Sequence, residues 1–335
     1  MKFYTPINYR NNLDITQTQV AIKLLKDNFE KKLSRNLRLT RVSAPLFVLS
    51  KSGLNDNLNG VEQPVDFTIK DIPSEKVEIV HSLAKWKRLA LARYGLHTGQ
   101  GLYTDMNAIR KDEELSNLHS IYVDQWDWEL IIRSEDRNLD FLCTAVKKIY
   151  QVFLDTEGLL ASHFPILPPQ LPEEVKFISS QELEDIYPDL TPHQREREIT
   201  KKFGAVFITQ IGKNLKSGSP HDSRAPDYDD WELNGDLILW SHILELPMEL
   251  SSMGIRVDTE SLQSQLKASG KEYRLNLDFH RSLIEGELPL TIGGGIGQSR
   301  LCMYFLQKAH IGQVQSGLWD DETQRRCREL DIVLL

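Results

Sequence analysis

The sequence predicts a protein of mixed helices and sheet strands, in one large domain or two, and three stretches carry that reading. Gly293 to Leu306, GGGIGQSRLCMYFL, places four glycines ahead of an apolar run at helical spacing, so a helix should begin where the glycines end, with Arg300 in its first turns. IYVDQWDWE, from Ile121, alternates as a strand does. Leu139 to Leu160 has the length and periodicity of a long amphipathic helix.

The glycines should let backbone approach a ligand closely, but two common phosphate motifs are excluded. G-x-G-x-x-G fails because Gln298 holds its last position, and a P-loop fails because no Gly-Lys-Ser/Thr follows.

The remaining elements follow in order. Thr16 with Gln19 has the form of a capping box, and Val20, Leu24, Leu25, Phe29 and Leu33 then recur on one face of a first helix reaching about Ser34. Arg41 to Ser50 reads as a strand with Pro45 inside it, hence an edge, a bulge or a subunit boundary. Residues 52–67, SGLNDNLNGVEQPVDF, have turn chemistry throughout. Lys76 to Val80 forms a short strand leading through His81 and Ser82 into a helix, LAKWKRLALARYG, closed by Gly95. Lys87, inside that helix, belongs on a solvated surface by the usual behaviour of lysine.

In IYVDQWDWE, Ile121, Val123, Gln125, Asp127 and Glu129 share one face, and Tyr122, Asp124, Trp126 and Trp128 share the other. A face that turns from apolar to Gln, Asp and Glu suits a polar pocket or a solvent-facing strand end. After the prolines at 165–172, VKFISS and GAVFIT are strands among short helices. LNGDLILW is a further strand, with Asp236, Ile238 and Trp240 on one face. MELSSMGIRV supplies Glu249, Ser251 and Arg256, and two helices around 260–268 and 272–285 precede the glycines.

Composition narrows the function. The chain has 335 residues, 26% charged and 40% hydrophobic, with a net charge of -8 that argues against a broad phosphate-backbone footprint. A small-molecule partner fits better. Cys143, Cys302 and Cys327 are widely spaced and odd in number, so neither a disulfide framework nor a zinc site is expected. MKFYTPINYRNN lacks an apolar signal region and no apolar run approaches a membrane span, which predicts a cytoplasmic protein.

The polar residues suit a task that holds phosphate and carboxylate together. Arg110 and Arg300 would serve the first, Lys87 and Arg256 the second, and Asp236 and Glu249 would be magnesium ligands, because Mg²⁺ favours one or two carboxylates plus phosphate oxygens. Ion-pair networks use the same residue types, so spacing alone does not establish that these groups converge.

Arg110 with Glu113, His119 and IYVDQWDWE resembles motif 2 of the class II aminoacyl-tRNA synthetases, GGGIGQSRLCM resembles their motif 3, and VSAPLF around Pro45 resembles motif 1. HSLAKWKR, DYDDW, ELSSMGIRV and YVDQWDWE are similar, more narrowly, to the ammonia-dependent asparagine synthetases, from about residue 15 to 320.

The resemblance implies an α+β class II synthetase-like fold, an antiparallel β-sheet flanked by helices, with residues 1–335 as a single catalytic domain that forms a homodimer through the motif 1 region. It implies that ATP and aspartate give a β-aspartyl-adenylate, which ammonia converts to asparagine and AMP, with Mg²⁺ accompanying ATP. Arg110 would bind the α-phosphate, Arg300 the ATP tail or base, and His119 would lie near the adenine, with Gly295 also on the nucleotide. Ser82, Lys87, Asp127, Asp229, Ser251 and Arg256 would contact aspartate. Related aspartyl-tRNA synthetases activate the α-carboxylate and hold the side-chain carboxylate at the positions of Lys87 and Arg256. Here the β-carboxylate must face ATP, so the two cations should clamp the α-carboxylate. Asp56 would close over the site as acceptor for ammonium protons, and Gln125 would position the activated carbonyl.

Two other readings have separate expectations. A tRNA-charging synthetase would need an RNA-reading module, yet no oligonucleotide-binding barrel precedes the first helix and no basic stripe is present, so no nucleic-acid partner and no membrane partner are expected. A non-catalytic relative would be expected to lose some of Arg110, Gln125, Asp236, Glu249 and Arg300, all of which are present. Glutaminases of the N-terminal nucleophile type need a cysteine after the initiator methionine, where this chain has Lys2. Cys302, inside an apolar helix, reads as a core residue, so free ammonia is the expected nucleophile.

Overall fold

A computed structural model describes residues 3–6, 9–56, 58 and 62–335; Lys2, and residues 57 and 59–61 of the expected loop, lie outside the described residues. Helix α1 spans Ile15–Leu37 and starts earlier than Thr16 predicts, because Asp14 and Gln17 make the reciprocal cap: Gln17 N donates to Asp14 Oδ1 at 2.7 Å and Asp14 N to Gln17 Oε1 at 3.1 Å. Its buried stripe is Thr18, Ala21, Leu25, Phe29, Leu33 and Leu37, and Val20 is 57% exposed rather than part of it. Val20 precedes Leu25 by five residues, about 140° round a 3.6-residue helix.

Strands β1 (Leu39–Arg41) and β2 (Phe47–Leu49) flank Pro45, which falls between strands instead of inside one. β3 (Asp66–Ile69) and β4 (Ile72–Ile79) complete a small sheet of order β2-β4-β3. Asp66 and Phe67, expected in a loop, are strand because β4 supplies a partner that local turn chemistry does not reveal. Helix α2 (Ala84–Arg93) ends before Gly95, whose φ of 65° is the left-handed turn expected there.

The rest of the chain adds β5 (Gly101–Ile109), β6 (Tyr122–Ile131), α3 (Leu139–His163), β7 (Lys176–Ser179), α4 (Ser180–Ile186), α5 (Pro192–Phe203) and β8 (Ala205–Thr209). It ends with β9 (Asp229–Ser241), β10 (Leu246–Arg256), α6 (Thr259–Ala268), α7 (Asp278–Ile284), β11 (Thr291–Gly297), α8 (Gln298–Phe305) and α9 (Asp321–Glu329). The main sheet has the order β1-β5-β6-β11-β10-β9-β8-β7. Its six central strands pair antiparallel, as expected, while β1 and β7 join the two edges in parallel.

One face of this sheet is apolar. Trp126 and Trp128 from β6 are buried there; Phe29 of α1 stacks on Trp126 at 4.8 Å between centroids and meets Phe153 of α3 at 5.4 Å. Burying a tryptophan of 150–250 Å² contributes about 4–6 kcal/mol as an upper bound. The alternation of β6 then obliges Gln125, Asp127 and Glu129 to face the other way. Among the described residues, no helix is long and apolar enough to cross a membrane.

Candidate active site

Opposite the apolar face lies a cavity of about 360 Å³, large enough for small-molecule substrates. Its floor is β6, β11 and β10, and here the glycines have a second task that the sequence did not show. Gly293 pairs with Glu129 and Gly295 with Asp127. A Cβ on Gly293 would run into the Glu129 carboxylate and come within 2.6 Å of Arg256 Nη2, and one on Gly295 would come within 2.5 Å of Gln125 Oε1 and 2.7 Å of Asp127 Oδ1. The missing side chains therefore make room for polar side chains of β6, beyond any direct approach to a ligand.

Lys87 is 1% exposed, contrary to the usual place of lysine, because α2 points it down onto this floor. Its Nζ donates to Gly294 O at 3.1 Å and lies 3.4 Å from Asp127 Oδ2 and 3.8 Å from Glu129 Oε2. Burial lowers its pKa, with the two carboxylates opposing. Arg256 is not a free clamp either: Nε and Nη2 donate to Glu129 at 2.9 and 2.8 Å, and Nη1 donates to Asp229. Burial works against its charge, but Glu129 and Asp229 win and raise its pKa, whereas burial dominates at Asp229 and raises that carboxyl. Asp127, Glu129 and Asp229 outnumber Lys87 and Arg256 by one negative charge, which suits a ligand carrying an ammonium beside its carboxylates. Glu129, fully buried and bonded also to Thr291 Oγ1 at 2.7 Å, is the residue that sequence reasoning underrated. Its place on the polar face of β6 was the signal.

Asp56 lines the cavity and is buried, its Oδ2 accepting from Ser82 Oγ at 3.2 Å. Asn55 holds the turn in place: its Oδ1 accepts from the N–H groups of Asp56 and His81, both at 2.9 Å, and its amide donates to Glu78 at 3.1 Å. Ser251 lies across the floor, its Oγ donating to Gly295 O at 2.9 Å.

The other end of the cavity is cationic. Arg110 donates to His81 O at 3.3 Å, and its Nε is buried without a partner among the described residues. Arg300 donates to the carbonyls of Leu118 at 3.3 Å and Glu249 at 3.1 Å. His119, beside both, is pushed down to about 3 by burial first and then by Arg300 and Arg110, so its ring is neutral at working pH. Its Nδ1 lies 2.8 Å from Ser116 Oγ.

The expected metal pair is only partly open. Glu249 lines the cavity, but Asp236 does not: it is 7% exposed and accepts from Arg224 Nη2, while Arg224 itself lines the cavity. Burial raises the Asp236 pKa; Arg224 opposes this and Glu249 adds to it. Two mutually repelling carboxylates fit a hard divalent cation. Among the described residues, no group of three or more His, Cys, Asp or Glu could hold a metal, so phosphate oxygens would have to complete its shell.

Cys302 is fully buried and its thiol is pushed up to about 12, as suits a core residue and not a nucleophile. All three cysteines are free.

The fold and the sequence as a whole are similar to known proteins. Asparaginyl-tRNA synthetase from Entamoeba histolytica, solved with asparaginyl-adenylate, superposes with a TM-score of 0.64 at 14% identity, covering 90% of this chain and 66% of that one, which establishes the class II synthetase fold. The aspartate–ammonia ligase of Clostridium perfringens is 59% identical over 334 residues, covering 100% of this chain and 99% of the relative. That of Clostridium tetani is 59% identical over 330 residues, covering 98% of this chain and 97% of the relative. The family model described as aspartate-ammonia ligase matches residues 16–331, and the chain belongs to that family.

Proposed function

We propose that the chain ligates free ammonia to the β-carboxylate of aspartate, using ATP and releasing AMP and pyrophosphate. The observation that carries the reading is one cavity in which a carboxylate-rich floor around Lys87 and Arg256 meets a cationic end built from Arg110 and Arg300. Aspartate lies with its α-ammonium toward Asp127 and Asp229 and its α-carboxylate toward Lys87 and Arg256, with Ser82 and Ser251 beside it. A β-carboxylate oxygen attacks the α-phosphorus and the bond to pyrophosphate breaks. Arg110 meets the charge that develops there, its Nε, without a partner among the described residues, offering a donor already in place.

His119 stays neutral beside the base, with Gly295 and Arg300 completing the nucleotide contacts. Asp236 and Glu249 would hold Mg²⁺, which when bound neutralises the leaving pyrophosphate. Ammonia then attacks the β-carbonyl carbon while Gln125 positions the carbonyl. One proton leaves when ammonium becomes ammonia and a second when the new C–N bond has formed; Asp56 accepts each in turn and passes it to solvent, while the bond from the β-carbonyl carbon to the bridging oxygen breaks and AMP departs with that oxygen.

Residues 1–335 act as one catalytic domain, a reading supported by a largest apolar cluster that draws on Leu13 at one end and Ile332 at the other. A homodimer through the motif 1 region is supported by the exposed apolar Ile15 and Val20 on α1 and Leu46 and Phe47 near Pro45. The net charge of -8 and the three free cysteines support a cytoplasmic enzyme without a nucleic-acid partner.

Incubation with ATP, aspartate and ammonium, followed by product analysis, tests the reading: asparagine, AMP and pyrophosphate should appear in equal amounts, and ADP with phosphate would contradict it. In the same assay Asp56→Asn should still exchange pyrophosphate into ATP within about threefold, yet lose about 10² or more in asparagine synthesis, the usual scale of general-base catalysis. If both half-reactions fell together, Asp56 would belong to activation or folding.

A further inference from the structure

Arg224 has no role in the reaction described so far, although it lines the cavity from the segment that joins β8 to β9. Its side chain is 13% exposed and its guanidinium sits on Asp236; its Nε is buried without a partner among the described residues. The second carboxylate has a lesser guard of the same kind, since Arg300 Nη1 lies 3.8 Å from Glu249 Oε2. Both carboxylates expected to hold a cation with ATP thus already face an arginine of the cavity wall.

We propose that Arg224 is the resident cation of this site, occupying Asp236 in the nucleotide-free enzyme and exchanging it for the outer phosphates of ATP when a divalent ion arrives with the nucleotide. This rests on the ATP-dependent reading above. A buried carboxylate left without a counter-charge is strongly disfavoured, so Asp236 needs an occupant before substrate binds. A divalent ion arriving alone would have to displace a buried guanidinium whose other nearby carboxylates are already engaged, Asp229 by Arg256 and Glu249 by Arg300. ATP supplies that anion: phosphate oxygens match the planar donors of arginine, so the carboxylate passes to the metal while the guanidinium passes to the phosphates. Metal and nucleotide are then coupled, each raising the affinity of the other. When pyrophosphate leaves, Arg224 loses its new partner and returns to Asp236, which favours release of the ion.

The test uses Mn²⁺ as the probe and needs no turnover. Free Mn²⁺ is measured by electron paramagnetic resonance during titration of the full-length protein without nucleotide, and again with a non-cleavable α,β-methylene ATP. Wild type should bind Mn²⁺ weakly alone and at least tenfold more tightly with the analogue. Arg224→Ala should bind Mn²⁺ at least tenfold more tightly than wild type in the absence of nucleotide, and adding Asp236→Asn should abolish that gain. Arg224→Gln, which keeps a donor for Asp236 but not the charge, should behave as Arg224→Ala does and covers failure of the alanine variant to fold. Equal or weaker Mn²⁺ binding by a folded Arg224 variant would overturn the exchange and make the ion pair a fixed strut of the 222–228 segment. Because Mn²⁺ binding is read without catalysis, that result would leave asparagine synthesis untouched, whereas absence of asparagine would overturn the functional reading instead.

Discussion

Arg110→Ala should abolish adenylate formation, lowering aspartate-dependent exchange of pyrophosphate into ATP by about 10² to 10³, the loss typical of one preorganised donor to a developing anion. The guanidinium is well placed for this role: one Nη atom is anchored on His81 O and its Nε has no partner among the described residues. Burial raises the pKa of nearby Glu113, with Arg110 and Arg300 pulling it down, so removal of Arg110 should also leave that carboxyl more easily protonated. A variant that retained exchange within about threefold of wild type would contradict the assignment of Arg110 to the α-phosphate.

Lys87→Met should raise KM for aspartate by about 10- to 150-fold, equivalent to losing one charged hydrogen bond of 1.5–3 kcal/mol, while KM for ATP changes by less than about threefold. Methionine keeps the length of the chain but leaves Asp127 and Glu129 without the ammonium 3.4 and 3.8 Å away. Part of the loss will therefore appear as destabilisation, on the order of 3–5 kcal/mol when one partner of a buried ion pair is removed. A substrate experiment on wild type separates the two effects. An aspartate α-amide lacks the anion that the two cations hold and should be a poor substrate; equal use of aspartate and its α-amide would contradict the end-for-end orientation.

Alternation in IYVDQWDWE put two tryptophans on one face and Gln125, Asp127 and Glu129 on the other, because a strand with one apolar face has no other register; that Gln125 and Asp127 line a cavity, with Glu129 buried beside them, came only with the fold. The helical spacing of the apolar run after GGGIGQSR likewise placed the start of a helix where the glycines end, at Gln298, although it did not show that the glycines themselves form β11. What stayed hidden was pairing between distant segments. Lys87 looked like a surface residue because Asp127 and Glu129, which make its burial tolerable, belong to a strand that becomes its neighbour only in the fold. Arg256 looked free for the same reason. The glycines announced space but not for whom, since the side chains that fill it come from β6. Arg224 stood beside three carboxylates of its own segment, while the one it bonds is Asp236, 12 residues further on in β9. Val20 shows a local error: an apolar residue near the right period still misses the buried stripe when it is five positions out of step.

The most direct measurement of the central claim follows oxygen. If the β-carboxylate attacks the α-phosphorus, synthesis from aspartate labelled with ¹⁸O in the β-carboxylate must place one labelled oxygen in AMP for every asparagine formed, read by mass spectrometry of the nucleotide. Label confined to inorganic phosphate, or label reaching AMP from the α-carboxylate instead, would contradict it.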